Sequence, residues 1–241
     1  MRMRKTVISL LAVLLFALGG TVCAYPYMQG HERDQALQQE VDTFLLRLEE
    51  TVPEETAETP VREHENLWDR MEAYNKSLWE SKQISLSDPW AYQQPSFQLG
   101  DFGFDQEVFG VLSIPKLGLE MPIYLGATEE NMAKGAAHLS QTSLPIGGEN
   151  TNCVIAGHRG WGASPYFRYI TNLESGDEVN ITNLWETLHY TVTGADIIQP
   201  NDVEKIKIQE GRDMLTLLTC HPYASGGKYR YLVYCDRVTE E

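Results

Sequence analysis

The chain has 241 residues, of which 34 are acidic and 19 basic, and its formal net charge is −15. Once a hydrophobic start and a polar helical stretch are set aside, this length leaves one domain of medium size. The negative charge, with no basic stripe beyond the first five residues, argues against nucleic acid as a partner.

The start of the chain predicts a membrane segment. A short basic sequence, MRMRK, precedes an uncharged and mostly apolar run from Thr6 to Ala24. About 19 such residues can span a bilayer, and the basic end is expected to stay in the cytoplasm. We therefore expect a single-pass protein of the cell membrane, anchored by residues 1–27, with the following residues outside the cytoplasm. VCA at 22–24 also resembles a signal-peptidase site, so cleavage after Ala24 stays open.

Two amphipathic helices are predicted after the membrane segment. Apolar residues recur at helical spacing from 32 to 50 and again from 62 to 82. The acidic, proline-containing stretch TVPEETAETP lies between them and has the composition of a linker. We interpret residues 28–107 as a helical region that acts as a stalk and holds the following domain off the membrane.

From about residue 108 the sequence favours β-structure. Short β-branched and aromatic runs alternate with Gly, Pro, Asn and Asp, and only Glu129–Ala137 has a helical pattern. The predicted strands are 109–114, 119–125, 151–156, 178–182, 187–193, 214–219 and 230–238. Seven or more short strands predict a mainly β fold, with a closed or nearly closed β-barrel of about eight strands over residues 108–241.

The four cysteines do not form a disulfide framework. Cys23 belongs to the membrane segment, and Cys153 and Cys235 lie in apolar strands, where buried thiols are favoured over a disulfide. Cys220 is different, because it ends the strand MLTLLTC and is followed at once by a His-Pro pair and a turn with glycines. A strand end presents a side chain at the barrel rim on a rigid element, as a nucleophile requires.

His158 and Arg230 are the candidate partners of Cys220. A reactive thiolate needs an imidazole or a cation nearby, and its reaction needs a donor for the oxyanion. His158 follows an apolar strand in VIAGHRG, and Arg230 begins the strand RYLVYC. These strand ends predict that the three side chains meet at one rim. Lys228 and Arg237 are weaker alternatives to Arg230.

These motifs resemble the three signatures of the sortase family. The matching residues are TLLTC at 216–220, AGHRG at 156–160 and the strand that begins at Arg230. Further segments resemble the barrel strands and connections of class C, the pilin-polymerising sortases, namely 108–126, 136–152 and 173–181.

The tripeptide Asp88-Pro89-Trp90 resembles the lid of class C sortases. In that family the lid crosses the active site, its Asp pairs with the catalytic Arg, and its aromatic ring covers the catalytic Cys. The resemblance therefore implies that Asp88 pairs with Arg230 and that Trp90 covers Cys220. A carboxylate and a guanidinium form a strong hydrogen-bonded ion pair.

The resemblance implies a cysteine transpeptidase that needs no metal and no cofactor. Cys220 would attack an exported protein after the Thr of an LPxTG-like motif and form a thioester. Arg230 would stabilise the oxyanion, and His158 would act first as acid and then as base. The acceptor would be a Lys amine of a pilin subunit. The family also suggests that Thr219 helps to position the motif.

Three alternatives stay open from the sequence. The same residues would serve a sortase that joins surface proteins to a peptidoglycan amine. The chain could instead be a non-catalytic exported binding module in which Cys220 is buried and unreactive. Water could also outcompete the amine, so that the net reaction would be hydrolysis.

Overall fold

The computed structural model describes residues 2–51, 64–84, 86, 97–104, 106–160 and 164–238. Within these ranges the chain forms helices α1 (Arg2–Thr51), α2 (Glu65–Glu80) and α3 (Glu129–Lys134). It also forms strands β1 (Val108–Ile114), β2 (Leu119–Leu125), β3 (Ala136–His138), β4 (Thr151–Ala156), β5 (Glu178–Thr182), β6 (Thr187–Ile198), β7 (Asp213–His221) and β8 (Tyr229–Arg237).

The eight strands close into one barrel, as the sequence predicted. Their order around the barrel is β1-β2-β3-β4-β7-β8-β6-β5, and β5 pairs back to β1. The β2–β3 and β4–β7 pairs are parallel, whereas the other pairs are antiparallel. Alternate residues of each strand fill the interior, so the barrel encloses a packed apolar core and leaves its outer face to other elements.

The prediction of helix over Glu129–Ala137 was only partly right, because α3 ends at Lys134 and β3 follows it. A Cβ at Gly135 would lie 2.6 Å from the carbonyl oxygen of Pro122. Only glycine lets the chain approach β2 this closely, and Ala136 then pairs with Ile123 in parallel. Strand β6 also extends to Ile198, beyond its predicted end at 193.

Cys153 and Cys235 are buried free thiols, which confirms the favoured prediction. Both residues pair with Leu215, one from β4 and the other from β8. They are therefore two strand spacings apart, about 9.6 Å, which exceeds the Cα separation that a disulfide can bridge.

The N-terminal region is not a free stalk. The predicted membrane segment and first amphipathic helix form one continuous helix, α1, which contains Pro26 without ending there. Val41 and Phe44 of α1 are fully or almost fully buried against Val108 and Tyr124 of the barrel. The apolar stripe that suggested a separate helix thus covers the outside of β1 and β2.

Helix α1 runs antiparallel to β1. Near the start of β1, Arg47 donates a hydrogen bond from Nη1 to Oε1 of Gln106, at 2.8 Å. Leu37 lines a cavity with Pro115, which directly follows β1. Further towards the N-terminus, the carbonyl oxygen of Gly30 accepts a bond of 3.4 Å from the hydroxyl of Ser164.

The buried side-chain amide of Asn75 and an apolar face attach helix α2 to the barrel. Asn75 is 5% exposed, its Oδ1 accepts from the backbone N–H of Leu144 at 2.7 Å, and its Nδ2 donates to the Leu144 carbonyl at 3.3 Å. Leu67 and Met71 on the same face are buried with Phe109 and Leu125 of the barrel. A buried backbone group that loses its partner costs free energy, so Asn75 helps to hold the helix in place.

We expect Asn75→Ala to lower the free energy of unfolding by about 2 kcal/mol, because it leaves the buried backbone N–H of Leu144 without its partner, whereas the Leu144 carbonyl still accepts from the backbone N–H of Ile146 at 2.8 Å. Urea denaturation of the full chain in detergent measures this change. The neighbouring side chain of Lys76 is 73% exposed, so Lys76→Ala is the control and should change stability little. Equal effects of the two substitutions would contradict the role given to Asn75.

Candidate active site

Cys220 lies on the outer face of β7, one residue before the strand ends. Leu217 fills the barrel interior, whereas Leu218 belongs to an apolar cluster on the outside, so the alternation of the strand turns Cys220 outwards. Arg230 is its direct partner in the antiparallel pairing with β8. On the other side, Ala156 of β4 pairs in parallel with Leu218. His158, two residues further along, is thus level with Cys220.

Arg230 is held close to the thiol. It is 6% exposed, its side chain hydrogen-bonds Cys220, and its Nη1 donates to the carbonyl oxygen of Gly227 at 2.5 Å. Gly227 has a φ of 78°, and a Cβ there would lie 3.2 Å from both Arg230 Nη1 and Cys220 Sγ. A glycine therefore lets the β7–β8 loop close over the Cys–Arg pair without strain.

His158 stands on a tightly packed loop. A Cβ at Gly157 would lie 2.6 Å from the ring of Phe167, and the backbone N–H of Phe167 donates to the His158 carbonyl at 2.9 Å. Thr219 is fully buried, and its hydroxyl donates to the Gly157 carbonyl at 2.8 Å. The structure thus directs the Thr219 hydroxyl to the loop that carries His158.

Burial moves the pKa values of Cys220 and His158 in opposite directions. It raises the pKa of the Cys220 thiol, although the nearby cations of Arg230 and Arg159 oppose the shift. It lowers the pKa of His158, against the opposing charge of Glu129. At neutral pH the resting pair is therefore mainly a thiol and a neutral imidazole, and the thiolate–imidazolium form is a minor state.

Two further charged residues belong to this site, and the sequence reasoning did not find them. Arg159 Nη1 donates to the carbonyl oxygen of Cys220 at 3.3 Å and lies 2.6 Å from Nδ1 of His221. The sequence feature that could have identified Arg159 is its position directly after His158 in AGHRG. Glu129 begins α3, far away in the sequence, and only the closed barrel places its charge near His158.

The alternatives to Arg230 lie elsewhere. Arg237 is seven residues further along β8, where its Nη2 donates to Glu186 at 3.3 Å. At about 3.4 Å per residue, this separates it from Arg230 by about 24 Å. Lys228 is exposed in the β7–β8 loop, and its amine lies over the ring of Tyr229 at 5.3 Å.

A buried apolar cluster lies on the outside of the barrel, on the same face of β7 as Cys220. Its floor is formed by Ala156, Leu218 and Leu232, on the three strands that carry the reactive residues. The surrounding buried residues include Met132, Ile198 and Ile206. The cluster therefore packs behind the outer strand face on which the thiol and its partner guanidinium stand.

The chain beyond α2 contacts the barrel near this apolar cluster. Gln83 Oε1 accepts from the backbone N–H of Ile208 at 2.7 Å, and its Nε2 donates to the Gln141 carbonyl at 3.1 Å. Leu86 packs against the apolar cluster itself. Asp88 and Trp90, the residues of the predicted lid, lie outside the described residues.

The thiolate is the form that reacts with alkylating reagents, so the alkylation rate of Cys220 should rise with pH. Because burial raises the pKa of this thiol, the midpoint of the rise should lie above the usual cysteine pKa of about 8.5. Arg230→Met removes a cation that lowers this pKa, and we expect the rate–pH curve to move to higher pH. Arg237→Met is the control and should leave the curve unchanged. Peptide-resolved mass spectrometry measures the rate, and a curve that moves to lower pH in Arg230→Met would refute this electrostatic account.

Comparison with known proteins agrees with this geometry. The model of the sortase domain matches residues 112–238. Sortase A of Bacillus anthracis is 25% identical over 237 residues, which cover 98% of this chain and 96% of that protein. The structure of sortase C1 of GBS Pilus Island 1 superposes with a TM-score of 0.72 at 28% identity, covering 85% of this chain and 93% of its own. A pilus-related sortase C of Group B Streptococcus superposes with a TM-score of 0.63 at 32% identity, covering 73% and 91%. Since the domain match spans more than half of the residues, the chain belongs to the sortase family.

Proposed function

We propose that this chain is a class C sortase that cleaves an LPxTG-like motif after its Thr and transfers the acyl group to a Lys amine of a pilin subunit. The observation that carries this proposal is the pairing of Cys220 with Arg230 on adjacent strands, with His158 level with them on the next strand. It supplies a nucleophile, an oxyanion donor and an acid–base group at one rim.

The first half of the reaction forms a thioester. Proton transfer from Cys220 to His158 creates the reactive thiolate–imidazolium pair, and Sγ attacks the carbonyl carbon of the motif's Thr. Arg230 stabilises the negative charge that develops on the carbonyl oxygen. His158 then gives its proton to the departing Gly amine, the C–N bond breaks, and the Thr acyl group stays on Sγ.

The second half transfers the acyl group. A Lys amine of the acceptor attacks the thioester carbon, and neutral His158 takes a proton from that amine. Arg230 again stabilises the oxyanion, the C–S bond breaks, and an isopeptide bond forms as Cys220 leaves. The proton returns from His158 to the thiolate, which restores the resting state.

The apolar cluster beside Cys220 has the chemistry to bind the apolar part of such a motif. Leu218 and Leu232 belong to it, and the partly buried Leu86 packs against it. We infer that the motif's Leu and Pro take the place of the segment that contains Leu86. Thr219 supports the reaction through the His158 loop, because its hydroxyl bonds Gly157 and its side chain is fully buried.

Class C is favoured by likeness outside the barrel. Residues 108–241 are 134 of the 241 residues, about 56%, so a structural match over 85% must include part of the helical region. Two structures that superpose with the chain are described as pilus sortases C. Curated relatives carry the names sortase A and sortase D. The class assignment is therefore best tested by the identity of the acceptor amine.

The membrane anchor is part of the same proposal. Helix α1 contains an apolar stretch long enough to cross a bilayer. The basic residues at its start favour a cytoplasmic N-terminus. We infer that the barrel lies outside the cell membrane, where exported substrates carry their sorting motifs.

An acceptor competition tests the pilin assignment. The full chain is incubated with an LPxTG-type peptide and equal concentrations of a Lys-containing pilin peptide and a peptidoglycan cross-bridge amine. We expect the isopeptide product with Lys to exceed the cross-bridge product at least tenfold, and Cys220→Ala should form neither. A dominant cross-bridge product would favour the cell-wall-anchoring sortase instead.

A second test concerns the lid. If Asp88 pairs with Arg230 and Trp90 covers Cys220, then Asp88→Ala and Trp90→Ala should each raise the alkylation rate of Cys220 several-fold. Trp79→Ala, on α2, is the matched control and should leave the rate unchanged. If neither lid variant changed the rate, the lid assignment would fail, whereas the catalytic roles would be unaffected.

A further inference from the structure

The reactive residues lie at the end of the barrel that faces the proposed membrane span. Since α1 runs antiparallel to β1, the carboxyl end of β1 points back towards the start of α1. The alternating strand pairings give β4 and β7 the same direction as β1, and β8 the opposite direction. Cys220, His158 and Arg230 are therefore all at the end of the barrel from which α1 extends.

The distance from this end to the bilayer is short. Ser164, in the loop after His158, donates to the Gly30 carbonyl at 3.4 Å. Gly30 is six residues beyond Ala24, the last residue of the apolar run, which is about 9 Å along a helix. The headgroup layer on each side of a bilayer is about 5–7 Å thick. The His158 loop thus lies at the outer edge of the headgroups.

Aromatic side chains mark the same level. Tyr25 and Tyr27 on α1 are 59% and 78% exposed. On the barrel, Tyr169 and Tyr223 are 50% and 52% exposed. Tyrosine is enriched where a protein meets the membrane interface, because its ring is apolar and its hydroxyl is polar.

Two segments at this end differ in charge from the whole protein. Residues 157–172 and 219–235 contain no Asp or Glu, although the chain has a net charge of −15. The basic residues of these two segments are Arg159, Arg168, Lys228 and Arg230. We call the two segments the catalytic rim.

Basic and aromatic groups of the catalytic rim contact each other. Arg168 Nη2 donates to the hydroxyl of Tyr223 at 2.6 Å, and its guanidinium lies 4.3 Å from the centre of that ring. At the same end, Lys116 pairs with both Glu174 and Asp177, at 3.2 and 2.8 Å, and offsets one of their two charges. Arg230 is 6% exposed, so Arg159, Arg168 and Lys228 are the three basic residues of the catalytic rim that face outwards, and they exceed the remaining acidic charge of this pair. A positive surface of this kind is complementary to anionic lipid headgroups.

We propose that the catalytic rim rests on the outer surface of the bilayer and binds the headgroups of anionic phospholipids. This inference depends on the proposed membrane span but not on the choice of substrate. Contact of this kind holds the mouth of the active site at the membrane surface. A substrate chain that emerges from the bilayer would then meet Cys220 within a few residues of the membrane.

Photo-crosslinking in nanodiscs tests the contact directly. The full chain carries p-benzoylphenylalanine in place of Tyr169, of Tyr223, or of Val238, which is 46% exposed after β8 at the opposite end of the barrel. The discs contain phosphatidylcholine alone or with one third phosphatidylglycerol. We expect lipid adducts, detected by mass, at positions 169 and 223, at least threefold more in the anionic discs, and none at 238.

A charge variant tests the role of the basic residues. Lys228→Glu should lower the adduct yield at 223 in anionic discs at least threefold, whereas Lys76→Glu on α2 should leave it unchanged. Equal yields at 169, 223 and 238, or no adduct at the first two, would overturn the contact. Equal yields in the two lipid mixtures would overturn the anionic preference. If inorganic phosphate at matched ionic strength abolished the adducts, the rim would be a small-anion site rather than a membrane contact.

The outcome is separable from the proposed reaction. Crosslinking needs neither substrate nor an active thiol, so Cys220→Ala should give the same adducts. Adducts without any transfer to Lys would leave the membrane contact standing and remove the pilin assignment. Transfer to Lys without adducts at 169 and 223 would do the reverse.

Discussion

The position of β7 between β4 and β8 is the constraint on which the site depends. Its antiparallel pairing with β8 sets Arg230 opposite Cys220, and its parallel pairing with β4 makes His158 level with them. Because side chains alternate along a strand, a shift of one residue in either pairing would turn a reactive group into the barrel core. The closed barrel fixes both registers, since it leaves no free edge along which a strand could slip.

Burial then gives these residues their chemical character. It disfavours charge on both Cys220 and His158, so the resting enzyme holds them mainly in neutral form. The positive charges of Arg230 and Arg159 favour the thiolate of Cys220, and the negative charge of Glu129 favours the protonated imidazole of His158, so both oppose the effect of burial. In the proposed reaction the ion pair is therefore a minor state at rest, and a guanidinium already in place would stabilise the oxyanion.

The sequence was sufficient for the barrel and for the meeting of Cys220, His158 and Arg230 at one rim, because both depend on local signals. Strand ends, glycines and turn residues mark Cys220, His158 and Arg230 without knowledge of the fold. Contacts between distant segments could not be predicted in this way. The attachment of α1 and α2 depends on Val41, Phe44 and Asn75 meeting the barrel, and β3 depends on the close approach of Gly135 to β2.

The most direct test of the central claim is intact-protein mass spectrometry of the full chain after incubation with an LPxTG-type peptide. The account predicts an added mass on Cys220 equal to the peptide cut after its Thr, and no such adduct in Cys220→Ala. No adduct in either the wild-type chain or Trp90→Ala, with Cys220 also resistant to an alkylating reagent, would contradict the catalytic assignment of Cys220.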